Sequence, residues 1–285
     1  MSSALTGVGV GLRPSHAADI LSSLPTIDWL ELLVDNHLCD GGFNRAILKP
    51  LAEHYPLSFH CVSMDVGGKT PLNKTYLAKL KQLAEELQPQ QISDHISFCR
   101  GQGRYFHNLL PSPFNRKELS HYVDRVKQIQ DILGRQILLE NVSRYIDYQD
   151  NEMTEGEFMT ELCQRADCFL LFDVNNAYVN QHNHHTDALE VFNQLPLARI
   201  KELHLAGYEQ RQQFLLDSHS QPVSEPVWQL YREVYQSLQY QQVPTLIEWD
   251  NKLPPLTELL AERDRCLSQQ AMATGRATAE VKCTA

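Results

Sequence analysis

Residues 169–173 read FLLFD, four apolar residues followed by an aspartate, and this pattern decides the fold. A short apolar run predicts a buried β-strand, and the acid then stands at the carboxyl end of that strand. Other segments have the same form, a predicted strand that ends in a histidine or an acid. The residues at the six strand ends of this kind are His60, Asp94-His95, Glu140, Asp173, His204 and Glu248. Their recurrence predicts a sheet whose strands carry residues able to bind metal ions at one end.

Eight strands are predicted in all, and longer amphipathic segments between them predict helices. The predicted strands are Val8–Leu12, Trp29–Leu33, Leu57–His60, Gln91–His95, Gln136–Glu140, Phe169–Asp173, Ile200–His204 and Thr245–Trp249. The predicted helices are His16–Ser23, Asn44–His54, Lys74–Leu87, Arg116–Leu133, Thr154–Arg165, Thr186–Gln194, Glu225–Gln239 and Leu256–Leu267. Thr154 with Glu157 forms a capping-box pattern, Thr186 is expected to cap the next helix, and Gly134 is a C-terminal stop signal.

The alternation of eight strands with eight helices predicts the α/β class and a single (β/α)8 TIM barrel, with a metal cluster at its C-terminal mouth. We expect the barrel to occupy residues 1–267, because no linker or longer repeat divides the chain. Residues 268–285 are small and polar and are expected to form a poorly ordered C-terminal tail. A doubly wound open sheet is less favoured, because Gly7, Gly9 and Gly11 lack the GxGxxG spacing and instead indicate close packing.

Charge and composition narrow the classes of partner. The formal net charge of −10 disfavours binding to the phosphates of nucleic acid. No apolar stretch approaches the ~20 residues of a membrane span, and no basic segment precedes the first apolar run, so we expect no membrane association and a cytoplasmic location. The seven cysteines are scattered and without CxxC spacing. They therefore predict neither a disulfide framework nor a thiolate zinc site.

The barrel itself would bring the strand-end residues together, because the carboxyl ends of its strands meet at one mouth. Histidine and carboxylate ligands without thiolates suit iron, manganese or zinc, and Glu140 can bridge two ions because it has two oxygens. Each residue taken singly has an ordinary structural reading. A histidine at a strand end is more often hydrogen-bonded structure, Asp173 could cap a turn, and Asp217 and His219 could lie on a solvated loop. Their joint occurrence at equivalent positions favours a metal site.

Strand alternation separates some neighbouring residues. The side chains of Asp94 and His95 face opposite ways in a regular strand, and we predict His95 as a ligand and Asp94 as a residue that supports the ligands. By the same rule Cys61, which follows His60, should point away from the barrel interior. The histidines of residues 182–185 lie in a polar segment and are expected on an exposed loop.

The order His, His, Glu, AspxxN, His, AspxHis, Glu resembles that of the multinuclear non-heme iron-dependent oxidases, a family formerly of uncharacterised proteins. The blocks that carry the resemblance are GVGVGLR, DWLELLVDNH, ISDHISF, LLENVSRY, LLFDVNNAYVN, KELHLAGY and DSH. They span roughly residues 6–250, and they are specific as a set. The chain is more distantly similar to TIM barrels of the xylose isomerase and endonuclease IV type.

The resemblance implies two or three bound iron ions, with manganese or zinc able to replace iron in a recombinant preparation. The first ion would be held by His60, His95 and Glu140. The second would be held by Glu140, Asp173, His204 and Glu248. A third position would be surrounded by Asn176, Asp217 and His219. Endonuclease IV has a histidine where this chain has Asn176, and an amide oxygen is the weaker ligand. Residues expected to support the ligands or contact substrate are Asp94, Asn141, Asn175 and Arg13.

The activity that the resemblance implies is the modification of cysteine residues in a ribosomally synthesised precursor peptide, with dioxygen as oxidant. A ferrous ion would bind the substrate thiolate and dioxygen beside a ferric neighbour. The expected partners are the cysteine-containing precursor peptide and a protein that presents this peptide to the enzyme.

Other readings of the same residues remain open. A zinc phosphodiesterase of the endonuclease IV type would use three metals to activate water, but the net charge argues against DNA as its substrate. A sugar isomerase would use two divalent ions and usually a strand-end lysine, which this sequence lacks. A non-enzymatic barrel would close the coordination shell of its metals, whereas a catalytic one keeps a ligand position open.

Overall fold

The computed structural model describes residues 5–39, 41–101, 103–238 and 241–275. Eight parallel strands close into a barrel, with each strand hydrogen-bonded to its two neighbours. In chain order these are β1 (Val8–Leu12), β2 (Leu30–Leu33), β3 (Leu57–His60), β4 (Gln91–His95), β7 (Leu138–Glu140), β8 (Phe169–Asp173), β9 (Ile200–Leu205) and β12 (Thr245–Ile247). The predicted single (β/α)8 TIM barrel is therefore confirmed.

Four further strands form two antiparallel hairpins that the sequence reasoning missed. They are β5 (Phe98–Gly101) with β6 (Arg104–Leu110), and β10 (Tyr208–Gln210) with β11 (Leu215–Asp217). The first hairpin follows β4 and the second follows β9, so both extend from the carboxyl ends of barrel strands. Each hairpin is a separate two-stranded sheet. Both hairpins contribute residues to the wall of the barrel mouth.

The helices pack around the barrel. They are α1 (Pro14–Ser23), α2 (Phe43–Ala46), α3 (Leu48–Ala52), α4 (Lys74–Leu87), α5 (Arg116–Leu133), α6 (Glu155–Ala166), α7 (Val174–His184), α8 (Ala188–Asn193), α9 (Glu225–Leu238) and α10 (Leu256–Ala273), with short 3-10 turns at Val34–His37 and Leu197–Arg199. The barrel strands are buried on both faces, as expected for a parallel sheet covered by helices. Among the residues described, no helix combines the length and apolar character that crossing a membrane requires.

Strand register places the strand-end residues at one level of the barrel. His95 is paired with Glu140 across β4 and β7, and Asp173 is paired with His204 across β8 and β9. The close packing expected of the early glycines is present at Gly9, where an added Cβ would lie 2.4 Å from the Trp29 ring. The strands can therefore approach closely while their carboxyl ends point to the same mouth.

Several local predictions hold, and one cap is wrong. Thr154 and Glu157 form the expected capping box at the start of α6, and Gly134 ends α5 with a φ of 72°. Thr186 does not cap the following helix. That helix begins at Ala188, and Asp187 caps it by accepting from the backbone N–H groups of its first turn.

The helix predicted over 44–54 is two short helices, α2 and α3, separated at Ile47. Pro50 explains the break, because its ring clashes with the carbonyl four residues earlier, that of Ala46, and it has no N–H to donate. The amphipathic pattern predicted one continuous helix, but Pro50 within it divides the segment into two.

The histidine-containing segment of residues 182–185 is not a loop along its whole length, because α7 runs to His184. Asp173 starts this helix by accepting a hydrogen bond from the N–H of Asn176 at 2.7 Å. The loop assignment was therefore wrong for His182 and His184, whereas the expected exposure holds for His182 and His185. The alternative reading of Asp173 as the cap of a turn also fails, because Asp173 caps a helix directly attached to β8.

The last helix continues beyond the predicted end of the barrel at residue 267. It reaches Ala273, and Gln269 is buried and accepts a hydrogen bond from Arg232 of α9 at 2.6 Å. Residues 268–273 are therefore helical, and residues 276–285 of the predicted tail lie outside the described residues.

Candidate metal centre

His60, His95 and Glu140 form the first group of candidate ligands. His60 Nε2 lies 3.3 Å from His95 Nε2 and 3.4 Å from Glu140 Oε2, and His95 Nε2 lies 3.2 Å from the same oxygen. All three residues are buried. The three donor atoms therefore face one point, as the ligands of a single ion do.

Neighbouring polar groups orient the two imidazoles. His60 Nδ1 is 2.7 Å from the hydroxyl of Ser93, and His95 Nδ1 is 3.5 Å from Asp94 Oδ1. Asp94 itself accepts hydrogen bonds from the backbone N–H groups of Met64 and His95. Contacts on Nδ1 fix the ring orientation and leave Nε2 free, which is the usual arrangement around a metal-binding histidine.

The second group shares Glu140 with the first. His204 Nδ1 lies 3.8 Å from Glu140 Oε1 and 3.3 Å from Glu248 Oε2, and Asp173 has a carboxylate oxygen within reach of Glu140 and His204. Since Oε2 of Glu140 faces His60 and His95 while Oε1 faces His204, this carboxylate stands between two candidate ion positions.

Two acids on the far side of His204 were missed by sequence reasoning. Glu31 Oε2 and Glu202 Oε1 each lie 3.3 Å from His204 Nε2, and both residues are fully buried. Glu202 also accepts hydrogen bonds from Ser58 and Gln91. Each acid lies within a strand and not at the strand end where ligands were sought, so the sequence did not show that its side chain points to His204.

The third group lies nearest to solvent. His219 Nε2 is 2.7 Å from Asp217 Oδ1, and His219 Nδ1 is 3.3 Å from Glu248 Oε2. Asn176 donates from Nδ2 to the backbone carbonyl of Asn141 and leaves its buried Oδ1 without a hydrogen-bond partner. Asp173, His219 and Glu248 each offer a ligand atom, and these three atoms lie within 4.8 Å of one another. The second and third groups are therefore contiguous.

The residues predicted to support the ligands all lie beside them. Asn141 exchanges two hydrogen bonds with the backbone of Asp173, and Asn175 donates to Asp217 Oδ1 at 2.8 Å. Arg13 pairs with Asp250 and lies 3.7 Å from Glu248 Oε1. Asp250, which sequence reasoning missed, also contacts His219 Nδ1 at 3.1 Å.

Burial sets the protonation of the metal-free site. Burial raises the pKa of Glu140 to about 8 and that of Asp173 to about 7. Burial lowers the pKa of His95, but Glu140 and Asp94 more than offset this and raise it to about 9. The pKa of His60 is well below its ordinary value because of burial and the neighbouring histidines. Protons thus supply the positive charge that a cation would otherwise bring to these acids.

The buried atoms that lack a hydrogen-bond partner test whether the site fits metal ions. Asp173 Oδ2 and Asn176 Oδ1 are two of them. Glu140 Oε2, His204 Nδ1 and His219 Nε2 also belong to this set, because they face only histidine or acid atoms without hydrogen-bond geometry. Buried polar atoms are normally hydrogen-bonded, so such a concentration in one place needs a cause. The atoms are nitrogen and oxygen donors with no thiolate among them, a set that suits iron, manganese or zinc. The residues present therefore fit a cluster of metal ions.

A cavity of about 790 Å³ opens over these groups at the barrel mouth. Its wall includes ligand candidates from each group, His60, Glu140 and His219, together with Tyr145 and Phe214. Its volume lies in the range of roughly 300–1,000 Å³ that is usual for ligand sites. A substrate side chain that enters this cavity would reach the candidate ligands directly.

Related sequences extend over nearly the whole chain. A UPF0276 protein of Acaryochloris marina is 45% identical over 259 residues, covering 91% of this chain and 93% of the relative. A UPF0276 protein of Anaeromyxobacter is 41% identical over 269 residues, covering 94% of each.

Solved structures of low sequence identity have the same fold. An L-ribulose 3-epimerase matches with a TM-score of 0.62 at 11% identity, covering 98% of this chain and 100% of that one. Endonuclease IV from Thermus thermophilus matches with a TM-score of 0.60 at 14% identity, covering 95% and 100%. At this identity the likeness establishes the TIM-barrel fold alone.

The sequence pattern of one protein family matches residues 7–271, from the first barrel strand to the last helix. That family is described as RiPP precursor modification enzyme MbnB/TglH/ChrH, where RiPP denotes a ribosomally synthesised and post-translationally modified peptide. The match covers every strand of the barrel and every candidate ligand described above. The chain therefore belongs to the MbnB/TglH/ChrH family of RiPP precursor modification enzymes.

Proposed function

We propose that this protein is a multinuclear non-heme iron-dependent oxidase that modifies cysteine residues of a precursor peptide with dioxygen. The observation that carries the proposal is the set of three contiguous ligand groups with unpartnered buried donors at the floor of one open cavity. Membership of a family that modifies precursor peptides supplies the substrate class.

Each iron position would draw on a separate group of side chains. The first would use His60, His95 and Glu140. The second would use Glu140, Asp173, His204 and Glu248. The third would use Asn176, Asp217 and His219. Iron bound there would supply one-electron redox chemistry and would favour the anionic form of a substrate thiol. Manganese or zinc would fit the same donors and could replace iron in a recombinant preparation.

The surrounding residues hold the ligands and shape access. Ser93 and Asp94 orient the two histidines of the first group through their Nδ1 atoms. Glu31 and Glu202 both contact Nε2 of His204 and orient that ring. Asp250 lies on the cavity wall beside His219 Nδ1, where it can hold a proton on that nitrogen. The barrel interior beneath the ligands is fully buried, so water can approach the ligands only from the mouth.

The partners and location follow from the substrate class. The protein would act on a cysteine-containing precursor peptide, and a second protein would present that peptide. We expect the reaction in the cytoplasm, where free thiols persist. Consistent with that setting, the described cysteines are all free thiols.

The test is co-expression with a short cysteine-rich peptide encoded beside the gene, in iron-supplemented cells. We expect two or three iron ions per chain, oxygen consumption that depends on the peptide, and a mass change confined to its cysteines. The control is the same peptide with serine in place of cysteine, which should remain unmodified. A zinc-only protein with phosphodiesterase activity and no effect on the peptide would contradict the proposal and favour a hydrolase.

A further inference from the structure

We propose that Tyr145 and Phe214 form a clamp for an apolar side chain of the peptide, next to the residue that reacts. The inference rests on the proposed function for its substrate class. It goes further by naming the residues that select the sequence around the cysteine. The two rings are called the aromatic clamp below.

The clamp lies where loops from two barrel strands meet. Tyr145 follows β7, and Phe214 stands just before β11 in the second hairpin. Their rings pack edge to face, with centroids 5.9 Å apart and an interplanar angle of 78°. Such a geometry is the favoured one for aromatic pairs. Both rings remain accessible, with 45% of Tyr145 and 40% of Phe214 exposed.

The clamp is tied to the candidate metal ligands. The hydroxyl of Tyr145 accepts a hydrogen bond from the backbone N–H of Asp217 at 2.7 Å. Both rings line the same cavity as His60, Glu140 and His219. A side chain packed on the clamp would therefore share the cavity with the ligand groups, which suits a residue next to the reacting cysteine of the peptide.

The backbone next to Phe214 is held in place before any ligand binds. Asn183 of α7 donates from Nδ2 to the carbonyl of Leu215 at 3.0 Å and accepts from the N–H of Leu215 at 2.9 Å. These two bonds hold the end of the hairpin against the helix. Rigid aromatic side chains bind at low cost in conformational entropy, so a pre-positioned pair is an effective anchor.

The chemistry of the wall selects an apolar occupant. Val142 and Leu216 give the cavity wall apolar surface in addition to the two rings, while Ser143, Asn183 and Gln213 also line it. An aspartate carboxylate packed on the two rings would lose its hydration without gaining a partner from the ring faces, which is costly for a charged group. The occupant that fits is a phenylalanine-like or leucine-like residue adjacent to the cysteine, and aspartate at that position should be rejected.

The test uses two synthetic heptapeptides that contain one cysteine and differ only in the preceding residue, phenylalanine or aspartate. Binding to the manganese-loaded protein is measured under argon by titration calorimetry, so that no turnover is needed. We expect the phenylalanine peptide to bind at least about tenfold more tightly than the aspartate peptide. Phe214→Ala and Tyr145→Ala should each remove most of this preference, and Phe214→Tyr should restore it.

Met272→Ala is the matched control, because Met272 is 63% exposed on α10 and is not among the residues that line the cavity. This variant should bind both peptides as the wild type does. The manganese content of each clamp variant should equal that of the wild type, which separates loss of the clamp from loss of the fold.

The outcomes distinguish the clamp from the oxidase. A preference for the phenylalanine peptide without any cysteine modification by the iron-loaded protein would leave the clamp standing and refute the proposed function. Cysteine modification together with equal binding of the two peptides, or with full preference in Phe214→Ala, would refute the clamp alone. Failure of the wild type to bind either peptide would also refute the clamp.

Discussion

Glu140 is the residue on which the candidate site depends most. One of its oxygens faces His60 and His95 and the other faces His204, so a single carboxylate links the two deepest groups. It is 1% exposed, and its Oε2 has no hydrogen-bond partner. A buried carboxylate in this state is unfavourable unless protons or cations neutralise it. For the site, the negative charge of Glu140 therefore matters more than the shape of its side chain.

Glu140→Gln should lower metal affinity at both positions, because the amide keeps the size of the side chain but loses the negative charge. Changes in residues that merely support a ligand cost about 10–100-fold in affinity, so we expect at least about tenfold here. The measurement is metal per chain by mass spectrometry after dialysis against a weak chelator. Glu262→Gln is the control, since Glu262 is also buried but accepts a hydrogen bond from the backbone N–H of Val223 and is not among the residues that line the cavity. Full metal retention in Glu140→Gln would contradict the shared role.

At the scale of elements, β8 and α7 meet without a loop, and Asp173 serves both. Its Oδ1 caps the helix through the N–H of Asn176, and its Oδ2 is buried without a partner beside Glu140 and His204. The helix in turn positions Asn176 at the cavity, Asn175 against Asp217, and Asn183 against the second hairpin. One strand end therefore fixes both a candidate ligand and the helix that supports several others.

The two roles of Asp173 can be separated by substitution. Asp173→Asn should keep the cap, because asparagine is as good an N-cap residue as aspartate, and should lose metal affinity with the charge. Asp173→Ala should lose both and should also cost about 1 kcal/mol of stability through the missing cap. Urea unfolding of the metal-free proteins, together with metal titration, measures the two effects. Equal metal-free stability of the asparagine and alanine variants would show that the cap contributes nothing.

At the scale of the whole molecule, barrel closure explains what the sequence could predict. Strand ends such as Glu140 and Asp173 could be recognised, because apolar runs mark the strands and closure brings their ends to one mouth. Glu31, Glu202 and Asp250 could not, because their places depend on which way a mid-strand residue points and on loop geometry. The two hairpins were missed because their exposed strands lack an apolar alternation, as in β6. The helix α7 was missed because its polar sequence hides the helical period.

The metal-free protein should lose stability as the pH rises. The folded-state pKa of Glu140 is about 8 and that of Asp173 about 7, both above the ordinary values of carboxyl groups in an unfolded chain. The folded state thus holds extra protons between about pH 4 and about pH 8, and stability declines through this window as they are released.

Cations should reverse this decline, because they replace the released protons. The difference in melting temperature between manganese-loaded and chelator-treated protein should therefore grow from about pH 6 to about pH 8. Differential scanning calorimetry at constant ionic strength measures it. A difference that stays constant or shrinks over this range would mean that these acids do not bind the metal.

The placement of Cys61 matters for the proposed oxidation of a peptide cysteine. This residue follows the candidate ligand His60 directly, yet it is fully buried. Burial and the nearby acids hold its pKa well above the ordinary value, so it stays a protonated thiol of low nucleophilicity. The proposed oxidase would thereby keep this thiol of its own out of reach of the reaction that it directs at a foreign chain.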